Sequence, residues 1–176
     1  YVMDPIKVGD LMIPLQDYPH IPYWFTLRQA MVEMEKCEIE VDGRKSLPRI
    51  ILVFNEAYQL LGMVRRRDLM RGLEPDYSGE DSIYKKEIVA DEKVTASSEE
   101  LSFDTIVNAL KTQAERQVRD VMVSIELTLD YEDFITYAID AMVEHNLSLI
   151  PVLKEGQVVG VVRSVDVFHQ LAKLIL

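Results

Sequence analysis

A ten-residue pattern occurs twice in this chain of 176 residues, and it constrains the fold more than any other feature. Residues 59–68 and 157–166 both contain an apolar run with an internal glycine, then polar residues, then an aspartate. The two glycines and the two aspartates are 98 positions apart (160 − 62 and 166 − 68). The repeat predicts two copies of one unit, each of which presents a strand, a turn and the start of a helix.

Each copy is predicted to contain a short N-terminal segment, a helix, a hairpin of two strands and a second helix. In the first copy, Thr26 is placed to cap the first helix, after a loop that contains His20. Apolar runs at 50–54 and 59–64 predict the two strands, and Asp68 is expected to begin the second helix.

The second copy repeats this order, with strands predicted at 149–153 and 157–162. Its last helix has an expected apolar face that includes Phe168 and Ile175. The first copy differs by a longer loop before its first strand, with a turn signal at residues 42–43.

These patterns divide the chain into three parts. Residues 6–72 form the first unit, 73–117 a linker and connecting helix, and 118–176 the second unit. The linker is polar and rich in turn-forming residues, and Ser102 is expected to cap the connecting helix, which packs on the second unit or on a partner chain. A unit of about 60 residues buries too little surface alone, so the copies are expected to pack on each other.

The bulk composition excludes several classes of partner. The net charge is −11, whereas binding to nucleic acid or to an anionic membrane requires clustered positive charge. Hydrophobic residues make up 48% of the chain, but no apolar run reaches the roughly 18–20 residues of a membrane span. The N-terminus lacks a signal-peptide pattern, and the single cysteine fits a reducing compartment. We therefore expect a cytoplasmic protein.

No group of residues predicts catalysis or a metal site. The three histidines, His20, His145 and His169, are far apart and lack metal-ligand spacing. Cys37 has no evident base partner, and no nucleophile, base and oxyanion site can be assembled. We therefore expect a protein that is not an enzyme and that has no catalytic cofactor.

The repeated pattern resembles a tandem pair of CBS (cystathionine β-synthase) domains, also called a Bateman module. The resemblance rests on the glycine-to-aspartate string in both copies, and in the second copy also on the Ile150-Pro151-Val152 strand before it. It implies an α/β (α+β) fold of two β-α-β-β-α units related by pseudo-twofold symmetry, often paired into homodimers. It also implies regulation through AMP, ADP, ATP or S-adenosylmethionine bound between the units.

The resemblance also implies which residues bind the ligand. Asp68 and Asp166 match the family aspartate that accepts hydrogen bonds from the ribose hydroxyls. The chain departs from the family at Arg65 and Arg163, where Ser or Thr usually meets the phosphate; arginine binds phosphate through two N–H groups and favours more highly charged ligands. The other candidates match apolar positions around the adenine: Met12, Ile13, Met122, Val123, Ile51, Leu52, Ile150 and Pro151.

Three questions stay open at this stage. Asp68 and Asp166 are either ligand contacts or ordinary helix N-caps, and the methionines are either ligand contacts or core residues. The arginines either reach outward to a phosphate or pair with their own aspartates. The first case predicts a nucleotide sensor that passes its signal to an effector protein. The second predicts a ligand-free module for dimerisation or scaffolding.

Overall fold

The computed structural model describes residues 3–75 and 96–176, with the backbone alone described for 96–101. The helices are α1 (Val8–Leu11), α2 (Leu27–Lys36), α3 (Arg66–Leu73), α4 (Ala96–Gln113), α5 (Ile135–His145) and α6 (Ser164–Ile175). The strands are β1 (Ile13–Pro14), β2 (His20–Pro22), β3 (Ile39–Val41), β4 (Arg44–Ser46), β5 (Ile50–Phe54), β6 (Leu60–Arg65), β7 (Leu129–Asp130), β8 (Leu149–Lys154) and β9 (Gln157–Arg163).

Two mixed sheets form the centre of the fold. In the first unit the strand order is β2-β5-β6, and in the second it is β1-β9-β8-β7. The hairpins β5–β6 and β8–β9 are antiparallel, whereas β2 and β7 run parallel to β5 and β8. The mixed α/β fold, in which each unit contains a helix, an antiparallel pair of strands and a second helix in this order, confirms the fold predicted from the repeat.

Each unit lends its N-terminal segment to the sheet of the other unit. Strand β1 pairs with β9, and Ile13 lies opposite Val161. In the reciprocal position, Val123 and Met63 exchange two backbone hydrogen bonds, of 2.8 and 2.9 Å. The two copies are therefore interlocked. Each N-terminal segment belongs to one copy in the sequence but pairs with the sheet of the other copy in the structure.

The glycine of the repeated pattern makes this exchange possible. A Cβ atom on Gly160 would lie 2.4 Å from the carbonyl oxygen of Ile13. A Cβ atom on Gly62 would lie 2.4 Å from the carbonyl oxygen of Val123. Because real Cβ atoms do not approach this closely, both positions require glycine for the passage of the crossing segment.

The core of the protein consists of three apolar clusters. The helix-facing sides of the sheets form one cluster in each unit, with Ile51 in the first and Ile150 in the second. A third cluster lies between the sheets and includes Ile50 and Leu52. The alternation follows from strand geometry, because successive side chains of a strand point to opposite faces. The expected packing of the two copies on each other is confirmed by this third cluster.

Several local predictions were wrong. The segment around His20 is strand β2 rather than a loop, because it pairs with β5. The connecting helix begins at Ala96, so Ser102 lies inside it and does not cap it. This helix packs on the first unit. Nη2 of Arg28 donates to the Lys111 carbonyl at 3.4 Å, and just after the helix the Ala114 carbonyl accepts from the Arg28 backbone N–H at 3.0 Å. Phe168 and Ile175 are 72% and 76% exposed, so they do not face the core.

Other local predictions were confirmed. Thr26 caps α2, and its hydroxyl oxygen accepts from the Gln29 N–H at 3.1 Å. Asp42 and Gly43 form the turn between β3 and β4, with φ values of 51° and 76° that suit a hairpin turn. Residues 76–95 of the predicted linker lie outside the described residues. Within the described part of the chain, no helix is long and apolar enough to cross a bilayer.

Candidate functional site

A cleft of about 420 Å³ lies between the two units. The first unit contributes Tyr18 and residues from β3 through the start of β5, and the second contributes Leu149 and the N-terminal turn of α6. Ile50 and Leu149 are buried side chains of the cluster between the sheets. The cleft therefore has an apolar floor and a wall that contains the positive end of a helix.

Asp166 and Arg163 lie side by side in the wall of this cleft. Arg163 donates from Nε to Oδ2 of Asp166 at 2.7 Å and from Nη2 to Oδ1 at 2.9 Å. A third donor, Nη1, reaches the hydroxyl of Ser46 at 3.1 Å. The carboxylate is 11% exposed, so it is mostly shielded but still reachable from the cleft.

The corresponding aspartate of the first unit is enclosed. Asp68 is 0% exposed, and Arg65 donates to it from its backbone N–H, Nε and Nη2 at 2.8–2.9 Å. Arg71 adds a contact from Nη1 at 3.1 Å and bonds the Val121 carbonyl through Nη2. Burial alone would raise the pKa of Asp68, but the hydrogen bonds and charge of Arg65 outweigh it and lower that pKa. The carboxylate is therefore held ionised and saturated with donors.

One difference between the copies explains the contrast between the two aspartates. The residue that corresponds to Arg71 in the second copy is His169 (169 − 71 = 98). Its Nε2 atom lies 3.6 Å from a carboxylate oxygen of Asp42 in the turn of hairpin β3–β4. Because His169 faces Asp42 while Arg71 covers Asp68, Asp166 has one arginine partner where Asp68 has two.

Residues 118–173 match the family model of the CBS domain. The chain has the fold of a CBS-domain pair. No curated protein sequence matches the chain significantly.

Several solved structures share the fold at low sequence identity. CBSX2 in complex with AMP has a TM-score of 0.62 and 15% identity, over 96% of this chain and 98% of that chain. A putative acetoin utilization protein, AcuB, from Vibrio cholerae has a TM-score of 0.64 and 19% identity, over 98% and 94%. The cytosolic domain of the Mg²⁺ channel MgtE in complex with ATP has a TM-score of 0.58 and 18% identity, over 94% and 48%.

The structure brings only part of the predicted site together. Arg163 and Asp166 line the cleft, whereas Arg65 and Asp68 form the enclosed ion pair. The apolar candidates are distributed over the three clusters. Ile51 and Met122 pack in the first unit, Ile150 and Met12 in the second, and Leu52, Ile13 and Val123 between the sheets, while Pro151 is buried in β8 opposite Val161.

Sequence reasoning missed the strand residues that line the cleft. They are Ile50 and Leu149, one position before the candidates Ile51 and Ile150. Because side chains alternate along a strand, Ile50 and Ile51 must face opposite sides of the sheet. The sequence does not indicate which of the two sides faces the other unit. Sequence reasoning also missed Tyr18, whose hydroxyl donates to the Ile50 carbonyl and whose burial raises its pKa.

The aspartates do not cap their helices in the usual position. The N-cap residues of α3 and α6 are Arg65 and Arg163, and the aspartates lie three residues later, within the first turn. The N-cap interpretation of Asp68 and Asp166 was therefore wrong. A carboxylate in the first turn still interacts favourably with the helix dipole.

Proposed function

We propose that this CBS pair is a regulatory module that binds an adenine nucleotide in the cleft beside Asp166. The observation that carries the proposal is the presence of this carboxylate and of the N-terminus of α6 in the wall of an inter-unit cleft. The volume of about 420 Å³ falls within the range of small-molecule sites. The AMP bound to CBSX2 and the ATP bound to MgtE support the choice of ligand class.

Each part of the cleft fits one part of a nucleotide. The carboxylate of Asp166 accepts from the two ribose hydroxyls, and an ionised acceptor makes stronger hydrogen bonds than a neutral one. The first turn of α6, at Ser164 and Val165, offers the positive end of a helix to the phosphate. The apolar side chains of Ile50 and Leu149 provide the surface for the base.

Arg163 has two partners in this proposal. Before binding it occupies both oxygens of Asp166. When the ribose takes those oxygens, the guanidinium turns to the phosphate, which it can contact through two N–H groups. AMP, ADP and ATP suit this exchange, and S-adenosylmethionine, which has no phosphate, suits it less.

The proposal assigns one ligand to each chain rather than two. Asp68 has no exposed surface, and both Arg65 and Arg71 are bonded to it. A ribose would have to displace two guanidinium groups from a buried carboxylate. We therefore assign the first-unit pair a structural role.

A ligand-free scaffold is the second candidate function. It is favoured by the inward pairing of both arginines with their own aspartates. In that case Arg163 closes the cleft permanently, and the regulated event is association with another chain. The homodimer, the effector protein and the cytoplasmic location expected from the sequence stay predictions in both cases.

Calorimetric titration with AMP, ADP, ATP and S-adenosylmethionine distinguishes these two functions. The sensor proposal predicts saturable binding of adenine nucleotides at one site per chain, and Asp166→Ala should weaken it at least tenfold, as expected from the loss of charge-assisted hydrogen bonds. Asp140→Ala, which removes an exposed carboxylate from α5, is the matched control. Flat titrations with all four ligands would reject the sensor and leave the scaffold.

A further inference from the structure

The hairpin β3–β4 is an addition to the first unit that has no counterpart in the second. Thirteen positions (37–49) separate α2 from β5, whereas three positions (146–148) separate α5 from β8. The extra residues form the antiparallel pair Ile39–Val41 and Arg44–Ser46. Because this hairpin is present in one copy alone, its side chains can give the neighbouring cleft a ligand preference that does not come from the repeated unit.

This hairpin reaches across the cleft to the second unit. Its turn residue Asp42 accepts from Lys173 Nζ at 3.0 Å, and its Ser46 hydroxyl accepts from Arg163 Nη1 at 3.1 Å. Lys173 belongs to α6, and Arg163 is the residue before that helix. The hairpin is therefore fixed at both ends to the element that carries Asp166.

The charges that line the cleft oppose those of the chain as a whole. The chain has 30 acidic and 19 basic residues, which gives the net charge of −11. The cleft is lined by four basic residues and one acidic residue, Arg44, Lys45, Arg49, Arg163 and Asp166. Two of the four, Arg44 and Lys45, come from the hairpin. Such local reversal of charge favours an anionic ligand.

Most of this positive charge is available to a ligand. Arg44 and Arg49 are exposed and have no salt bridge or side-chain hydrogen bond within residues 3–75 and 102–176. Lys45 pairs with Glu38 at 3.2 Å, and both side chains are more than half exposed. An exposed pair of this kind is weak and exchanges readily for a ligand. Arg163 is the exception, since Asp166 neutralises it.

We infer that hairpin β3–β4 is the polyphosphate-selecting wall of the cleft. Arg44 and Lys45 bind the phosphate groups beyond the first, so the module takes a nucleoside diphosphate or triphosphate in preference to a monophosphate. We place a monophosphate at the start of α6 and the further phosphates of a longer chain beside Arg44 and Lys45, which line the same cleft. This inference deepens the proposed function and rests on it for the adenosine part of the ligand.

The test is a set of titrations with AMP, ADP, ATP and inorganic tripolyphosphate, at fixed ionic strength and without divalent cations. We expect ATP to bind at least tenfold more tightly than AMP, because each added charge-assisted contact contributes to the longer ligand. The variant Arg44→Ala/Lys45→Ala should lose most of this preference while AMP affinity changes less than about twofold. Raising the salt concentration should reduce the ratio of ATP to AMP affinity of the unmodified chain, because salt screens the added charge contacts.

A control variant removes the same charge elsewhere. Lys36→Ala/Arg67→Ala also deletes two exposed cations, on α2 and α3, and neither residue lines the cleft. Its ATP preference should equal that of the unmodified chain. Circular dichroism compares the folding of the variants, and Arg44→Gln/Lys45→Gln repeats the test with side chains that stay polar and long.

The outcomes separate this inference from the proposed function. Equal affinities for AMP and ATP, or equal losses for both in the hairpin variant, would overturn the inference and leave nucleotide binding intact. If tripolyphosphate bound in a hairpin-dependent way and no nucleotide bound, the role of the hairpin in binding phosphate groups would be supported and the proposed adenosine site would be overturned. The absence of binding by all four ligands would overturn both.

Discussion

Arg163 holds both carboxylate oxygens of Asp166, at 2.7 and 2.9 Å, in the wall of the cleft between the two units. The same spacing in the first unit pairs Arg65 with Asp68, yet that pair is enclosed. One motif therefore serves two purposes in this chain. In the first unit it is part of the packed structure, and in the second it faces a cavity where a ligand can compete for the carboxylate.

Substitution of Arg163 tests this competition. In Arg163→Ala the carboxylate of Asp166 is free for the ribose, while one phosphate contact is lost. Because this contact is to the first phosphate, which AMP and ATP share, we expect both affinities to fall by a similar factor of up to about fivefold and their ratio to stay the same. Calorimetric titration measures both ligands, with Arg67→Ala as the control. An equal rise for both ligands would mean that Arg163 only closes the cleft.

Removal of Asp68 tests its structural role. Asp68→Ala leaves two guanidinium groups without their acceptor, and it should lower the free energy of unfolding by about 2 kcal/mol. The value is below that of a fully buried pair because Arg65 and Arg71 are partly exposed and regain water. Urea denaturation measures the change. The exposed Asp17→Ala should alter stability by less than about 0.5 kcal/mol, and a similar effect in both variants would contradict the assignment.

The same carboxylate makes stability depend on pH. The folded-state pKa of Asp68 is lowered, so the unfolded chain binds a proton more readily than the folded chain in acid. Its contribution is therefore fully present above the unfolded value of about 4 and is lost as the pH falls through the folded value. Denaturation curves between pH 2 and about pH 6 measure the free energy of unfolding at each pH. As the pH falls, this free energy should decrease less steeply in Asp68→Asn than in the unmodified chain. An unchanged slope would show that other carboxylates account for it.

The crossing of the N-terminal segments predicts a large cost for small substitutions. A methyl group on Gly160 or Gly62 would meet a backbone carbonyl at 2.4 Å, and backbone cannot move aside as a side chain can. We expect either glycine-to-alanine change to destabilise the fold by about 3 kcal/mol. In Gly43→Ala the new methyl group has open space, and only the φ of 76° opposes it, which costs about 1 kcal/mol. Thermal denaturation of the three variants provides the comparison, and equal losses would argue against the crossing.

Much of the fold was predictable because its signals are local. The buried strands appear as apolar runs at residues 50–54 and 149–153, and Thr26 caps its helix through its own side chain. Strand β2 was missed because it has three residues and forms only by pairing with β5, thirty positions further along the chain. The start of α4 was missed because a polar segment that begins with Ala96 resembles a linker as closely as a helix.

The candidate site was predictable only in part, for a physical reason. The repeat identified both arginine and aspartate pairs, and the difference between Arg71 and His169 was already present in the sequence. The effect of this difference depends on the neighbours of each residue in the folded chain, because Arg71 contacts Asp68 whereas His169 faces the hairpin residue Asp42.

The sequence by itself determined that this chain consists of two copies of one unit, since strand and helix periodicities and the glycine-to-aspartate spacing are written within short segments. Only the tertiary structure decided that the N-terminal segments exchange between the units and that Asp68 is enclosed while Asp166 faces a cleft. These features depend on contacts between residues distant in the chain, and two similar local patterns can meet different neighbours.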